Sequence, residues 1–152
     1  MLRDRLSEAV KDSMRAKEAR KVSTLRMVQA ALKDRDIAAR TRGDGSPLTD
    51  DEILSLMQTM VKQRRESVAL YEKGGRADLV QQENEEIAVI ESFLPQQMDE
   101  AAMTAALKAV IAETGATSIK DMGKTMAVVK QRFVGQMDPA KAAATVKGLL
   151  SS

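Results

Sequence analysis

Residues 48–95 read LTDDEILSLMQTMVKQRRESVALYEKGGRADLVQQENEEIAVIESFLP, and this stretch decides the fold. It opens with Thr49 and Glu52 at the spacing of a capping box, in which a hydroxyl and a carboxylate satisfy N–H groups at a helix start. Leu48 and Ile53 flank the box where a hydrophobic staple belongs. Apolar residues then recur at helical spacing as Ile53, Leu56, Met57, Met60, Val61, Val68 and Tyr71. Gly74-Gly75 interrupts the pattern, since Gly reaches left-handed backbone conformations cheaply. The pattern resumes near Asp78 with Leu79, Ile87, Ile90 and Leu94, and Pro95 stops it. Two long helices with so short a connection pack as an antiparallel hairpin.

The reading extends outward in both directions. Upstream, Leu2, Leu6, Val10 and Met14 mark an amphipathic first helix. A change of phase around Lys17-Glu18-Ala19-Arg20 places a helix–helix junction there without a strong breaker. Val22, Leu25, Val28 and Leu32 form the stripe of a second helix that runs to about Arg42. The segment from Gly43 to Pro47 reads as a loop. Downstream, Asp99 caps a helix that runs to about Thr114, and Gly115 ends it. Ser118 with Asp121 caps the next, through about Phe133. Its buried face is Ile119, Met122, Met126, Val129 and Phe133, and Gly123 offers a place where another helix could approach closely. Asp138-Pro139 opens the last helix, with Pro where its missing N–H costs nothing. No segment alternates with period two. The expectation is an all-α fold: an N-terminal long-helix domain (1–94) containing the hairpin, a linker (95–98) and a small three-helix domain (99–152).

Composition narrows the chemistry. The chain has 152 residues with no Cys, no His and no Trp, and aromatics make up 2%. Thiol nucleophiles, imidazole bases and Cys/His zinc sites are excluded. Tyr71, Phe93 and Phe133 are too few and too scattered for a base-stacking platform. No Gly-rich phosphate loop, strained Ser turn or metal-loop spacing of carboxylates is present. No cofactor and no metal are expected. The net charge of +2 is uneven. Residues 1–45 hold 12 Lys/Arg against 7 Asp/Glu, residues 46–97 hold 5 against 10, and residues 98–152 hold 7 against 5. Basic ends flank an acidic middle. No apolar run could span a membrane, and the start Met1-Leu2-Arg3-Asp4 is unlike a signal peptide. A cytoplasmic protein is expected.

Two charge patterns stand out. Arg64 falls inside the apolar stripe of helix three, and Glu83 and Glu86 fall inside that of helix four. With the hairpin pivoting at Gly74-Gly75, Arg64 lies level with Glu86. An inward Arg needs a carboxylate to offset its desolvation, so the pattern favours an ion pair that sets the register over a catalytic site. On helix two, Arg26, Lys33 and Arg40 repeat every seven residues, after a cluster of Lys17, Arg20 and Lys21. Such a stripe could follow phosphates, although Asp34 and Asp36 interleave it and favour a solvated face.

Four segments together carry a resemblance: Arg64-Arg65-Glu66-Ser67, Tyr71-Glu72-Lys73-Gly74-Gly75-Arg76-Ala77-Asp78-Leu79, Phe93-Leu94-Pro95-Gln96-Gln97-Met98 and Lys120-Asp121-Met122-Gly123-Lys124. In this order they resemble the GatB/YqeY family over essentially the whole chain. The resemblance implies a small all-helical cytosolic protein. Its C-terminal module is similar to the tail of the B subunit of the tRNA-dependent Asp/Glu amidotransferase, which helps that enzyme engage misacylated tRNA. It therefore implies a non-catalytic accessory module, with tRNA or a tRNA-dependent amidotransferase as partner. The alternative is a helical protein–protein adaptor without RNA binding. The family's label, a carbon–nitrogen ligase with glutamine as amido-N donor, belongs to the complex, whose glutaminase and activation machinery this chain lacks. Carried over by position, Lys120, Lys124, Lys130, Arg132, Lys141 and Lys147 are the implied RNA-backbone contacts. The turn before the last helix, implied to be basic, reads Val134-Gly135-Gln136-Met137 and carries no charge.

Overall fold

A computed structural model describes residues 1–41, 43 and 45–151. These form seven α-helices and one 3₁₀ turn: α1 (Leu2–Arg15), α2 (Ala19–Arg40), α3 (Asp50–Lys73), α4 (Ala77–Glu91), α5 (Glu100–Thr114), the 3₁₀ turn Ile119–Asp121, α6 (Met122–Arg132) and α7 (Pro139–Ser151). No strand occurs among the described residues, so the fold is all-α, with α1–α4 followed by a three-helix bundle. The expected end of helix two at Arg42 lies outside the described residues. The chain divides into two compact units, Met1–Leu94 and Pro95–Ser152.

In the first unit the hairpin of α3 and α4 is the main packing pair, and α1 and α2 pack together and onto it. Thr49 caps α3 with both halves of the capping box formed, and Leu48 packs onto the same core as Ile53. The core draws Leu2 and Leu6 from α1, Leu25 and Val28 from α2, Ile53 and Met57 from α3, and Ile87 and Ile90 from α4. Each such Leu or Ile stabilises the unit by about 1.5–3 kcal/mol through the apolar surface it removes from water. Met14, read as the last rung of the α1 stripe, is instead 51% exposed. The helix ends one residue later, and in its final turn it is Ser13, not Met14, that faces the packed side.

The α1–α2 junction has a definite geometry. Lys17 adopts φ +56°, in the left-handed region. The Glu18 N–H donates to the Ser13 carbonyl, and the Lys17 N–H to the Met14 carbonyl. These two bonds make a Schellman motif, the helix-ending turn that normally needs Gly at its left-handed position. Gly75 and Gly115 build the same motif at the ends of α3 and α5, at φ +70° and +69°. There Arg76 N–H reaches the Tyr71 carbonyl, and Ala116 N–H reaches the Ile111 carbonyl. Lys17 thus stands where the other two turns use glycine.

The second unit is a bundle of α5, α6 and α7 around Leu107, Val110, Met126, Val129, Ala142 and Val146. Asp99 caps α5 by accepting from Ala102 N–H at 2.7 Å, and the Asp138 carboxylate accepts from Ala140 N–H at the start of α7. Residues 95–98, expected as a linker, are fastened into this unit. Gln97 Nε2 donates to the Gly135 carbonyl, and the Met98 N–H donates to the Gln136 carbonyl. Two expectations for α6 are corrected. Ile119 is 47% exposed, because it lies in the 3₁₀ turn and is out of phase with the helix that follows. Gly123 faces open space, with nothing within 4 Å of where a Cβ would sit, so no helix of the unit approaches it.

Candidate functional site

The charges within the hairpin resolve into a network. Arg64 Nε donates to Glu86 Oε2 at 3.1 Å, with the two side chains 14% and 6% exposed. The remaining Arg64 donors reach the Met60 carbonyl and the Met27 sulfur. Glu86 also lies 3.9 Å from Arg20 Nη1 and accepts from Gln82. Arg20 extends the network to Glu85 at 3.2 Å. Helices α2, α3 and α4 therefore meet through one chain of alternating charges. Glu83 stays outside this chain of contacts. Burial pushes its carboxyl above the usual range, the nearby Glu86 adds to the rise, and Arg64 opposes it. Cys and His are absent from the whole chain. Among the described residues no group of three or more Asp or Glu side chains is placed to hold a metal ion.

The cations implied as RNA contacts are distributed over the second unit. Lys120 lies in the 3₁₀ turn, Lys124, Lys130 and Arg132 in α6, and Lys141 and Lys147 in α7. All six are exposed. Arg132 is already engaged by Glu113 at 2.7 Å. No ion pair holds the five lysines among the described residues, nor Lys108 on α5, which the sequence reading passed over. Lys120 and Lys124 lie one turn apart. Lys130 is displaced from Lys124 by about 120° around the helix, so the lysines do not form a single row. The Asp121 carboxylate beside them is held below its usual range by the N–H groups of Thr117 and Ser118 that it accepts.

Arg26, Lys33 and Arg40 are exposed on the outer side of α2. Of the carboxylates that interleave them, Asp36 is bound from α1 and the loop before α3, and it also feels the charge of Arg40. Arg3 grips it with two guanidinium nitrogens at 2.8 and 2.7 Å, and the Leu48 N–H donates to it at 3.0 Å. These contacts hold the Asp36 carboxyl down to about 2.

The helices and side chains define an all-helical protein made of a four-helix unit and a three-helix unit. The family model described as Yqey-like protein matches residues 3–150, and the chain belongs to that family. Membership supports a non-catalytic, accessory role. Among curated proteins the chain is similar to Altered inheritance of mitochondria protein 41, mitochondrial, of Eremothecium gossypii. The two are 34% identical over 89 residues, covering 59% of this chain and 46% of the relative. The protein of the same name from Lachancea thermotolerans is 30% identical over 91 residues, covering 60% and 46%. That from Vanderwaltozyma polyspora is 26% identical over 101 residues, covering 62% and 52%. The chain spans about half the length of the curated relatives it matches.

These relatives overturn the expectation of a cytoplasmic protein, since their names place them in mitochondria. That expectation rests on missing membrane and signal patterns and on what the family resemblance implies, and neither distinguishes one aqueous compartment from another. No helix among the described residues is long and apolar enough to cross a membrane.

Proposed function

We propose that this protein is an accessory tRNA-binding module that works beside a tRNA-dependent amidotransferase and adds no bond-making chemistry of its own. The observation that carries the reading is the set of exposed lysines of the second unit, Lys120, Lys124, Lys130, Lys141 and Lys147, none of them held by an ion pair among the described residues. Unpaired surface ammonium groups are the sequence-independent part of nucleic-acid recognition, because each neutralises a phosphate and releases a counterion. Two glycines within helices support it, Gly123 in the first turn of α6 and Gly148 within α7. Gly123 precedes Lys124 and Gly148 follows Lys147, and a Cβ at either would meet nothing within 4 Å. Glycine inside a helix costs about 1 kcal/mol relative to Ala, and less in a first turn such as that of Gly123. No contact within the chain explains that cost, whereas close passage of a phosphate backbone does. With so few aromatics, the contact is to backbone and shape, not to stacked bases.

The test is a titration of the full chain with tRNA by fluorescence anisotropy over a range of salt. Log affinity should fall linearly with log salt, and Lys124→Ala with Lys147→Ala should flatten the slope by about one per lysine removed. Absence of binding even near 50 mM salt, where such contacts gain strongly, would remove the reading.

A further inference from the structure

The outer side of α2 and the groove at its start form a surface that neither the core nor the proposed tRNA contact of the second unit uses, although the sequence reads Arg26, Lys33 and Arg40 as a stripe that could follow phosphates. At 100° per residue, Arg26, Ala30, Lys33, Ile37 and Arg40 fall within one strip about 80° wide, opposite the buried Leu25, Val28 and Leu32. Ile37 lies among the cations of this strip and is 49% exposed. At the head of the strip Met14, Lys17, Ala19, Val22, Ser23 and Arg26 line a groove of about 730 Å³. Arg26 Nη2 lies 3.6 Å from the Met14 sulfur and joins groove to strip. Neither Lys17, Arg26 nor Lys33 is held by an ion pair among the described residues. Asp34 and Asp36 border the strip on its two sides, and Asp36, although it also feels the charge of Arg40, is taken by Arg3 of α1.

Lys17 is the independent clue. It is the sole non-glycine residue with positive φ among the described residues, and it closes a turn that glycine closes freely elsewhere in this chain. Strain of this kind persists where the side chain serves a purpose that glycine could not. Lys17 is part of the groove wall.

We infer that the α2 strip and the groove at the α1–α2 junction dock an acidic amphipathic helix of a partner protein. The partner's apolar side would lie on Met14, Val22 and Ile37, and its carboxylates on Lys17, Arg26 and Lys33. Charge complementarity selects this occupant, since residues 1–45 hold 12 Lys/Arg against 7 Asp/Glu. A nucleic acid has no use for the exposed Ile and Met, and a lipid surface needs a broader apolar face than Ile37 and Ala30 supply. Polarizable Met side chains suit a groove that receives a helix. The inference concerns the first unit alone and does not depend on tRNA binding by the second.

The test uses the full chain and a fluorescein-labelled synthetic helix of Glu and Leu at amphipathic spacing, about 18 residues long, with its Lys-for-Glu counterpart as control. The acidic helix should bind saturably and the basic one should not. Lys17→Gly should weaken binding about fivefold although it relaxes the fold, so misfolding cannot account for the loss. Ile37→Asp, at an exposed position, should weaken it about tenfold or more. Equal binding of both helices, or an acidic-helix affinity that neither substitution changes, overturns the proposal. So does loss of tRNA binding or of anionic-vesicle binding in these variants while peptide binding stays intact.

Discussion

Arg64 and Glu86 face each other across the α3–α4 hairpin, Nε to Oε2 at 3.1 Å, with both side chains largely out of solvent. A half-buried ion pair of this kind does more for register than for net stability, because much of its attraction offsets desolvation. Removing one partner is a different matter, since it strands the other. Arg64→Ala should therefore destabilise the fold by about 2–4 kcal/mol in urea unfolding. Adding Glu86→Ala should recover part of that loss. Arg20, at 3.9 Å from Glu86, also loses that carboxylate in the double variant, which should keep the recovery incomplete whichever substitution is made first. A cycle whose two single effects simply add would show that the pair is not coupled.

A second ion pair makes stability depend on pH. Asp36 accepts two bonds from Arg3 and one from the Leu48 N–H, and its carboxyl is held down to about 2 in the folded state. In the unfolded chain an Asp titrates near 3.9. The unfolded state therefore takes up its proton first as the pH falls. The contribution is complete above about pH 5 and drains away between pH 4 and about 2. Asp36 is 18% exposed, so after solvent screening its share is about 1–2 kcal/mol. Asp36→Asn should lower the thermal midpoint at pH 6, and the gap to the wild type should narrow through pH 3 and close only as the pH falls below about 2. A gap between the two that stays constant over that range would mean that Asp36 does not titrate as described.

The three Schellman turns give a direct comparison of lysine with glycine. Lys17→Gly relieves a left-handed backbone that costs about 1–2 kcal/mol for a residue with a side chain. The gain should be about 1 kcal/mol, less the extra freedom glycine brings to the unfolded chain. Gly115→Ala runs the other way. No atom lies within 4 Å of the added Cβ, so any loss, about 1 kcal/mol, is purely conformational. Chemical denaturation of both variants should show shifts of opposite sign, and a destabilised Lys17→Gly would refute the strain at this turn.

These turns also show what could be read from sequence alone. The helical class was legible because the punctuation is conventional: Thr49 with Glu52, Asp99, Asp138-Pro139, Gly75 and Gly115 act locally and leave a compositional mark. The α1 terminus left none, because Lys17 does with strain what glycine does freely. A helical wheel places Met14 and Ile119 in the core because it assumes one continuous helix. Met14 lies in the last turn of its helix, and Ile119 lies in a 3₁₀ turn with a different period. Which carboxylate meets Arg64 depends on side-chain direction as well as level, and here Glu86 reaches it while Glu83 stays apart. The engagement of Arg132 by Glu113 joins residues 19 apart on different helices, a long-range contact that spacing does not encode.

The exposed glycines of the second unit set stability against binding. Gly148 lies within α7 and Gly123 in the first turn of α6, each with open space before it. Alanine at Gly148 should stabilise the bundle by about 0.5–1 kcal/mol, and at Gly123 by less, since a first turn has fewer helical bonds to gain from. If a phosphate backbone passes over these positions, the same substitutions should weaken tRNA binding, with the added methyl groups holding Lys124 and Lys147 away from it. The two effects separate cleanly in a double variant: a raised thermal midpoint with reduced tRNA affinity marks a contact surface. A raised midpoint with unchanged affinity would mean that Gly123 and Gly148 lie outside the RNA path, and would confine any contact to the lysines alone.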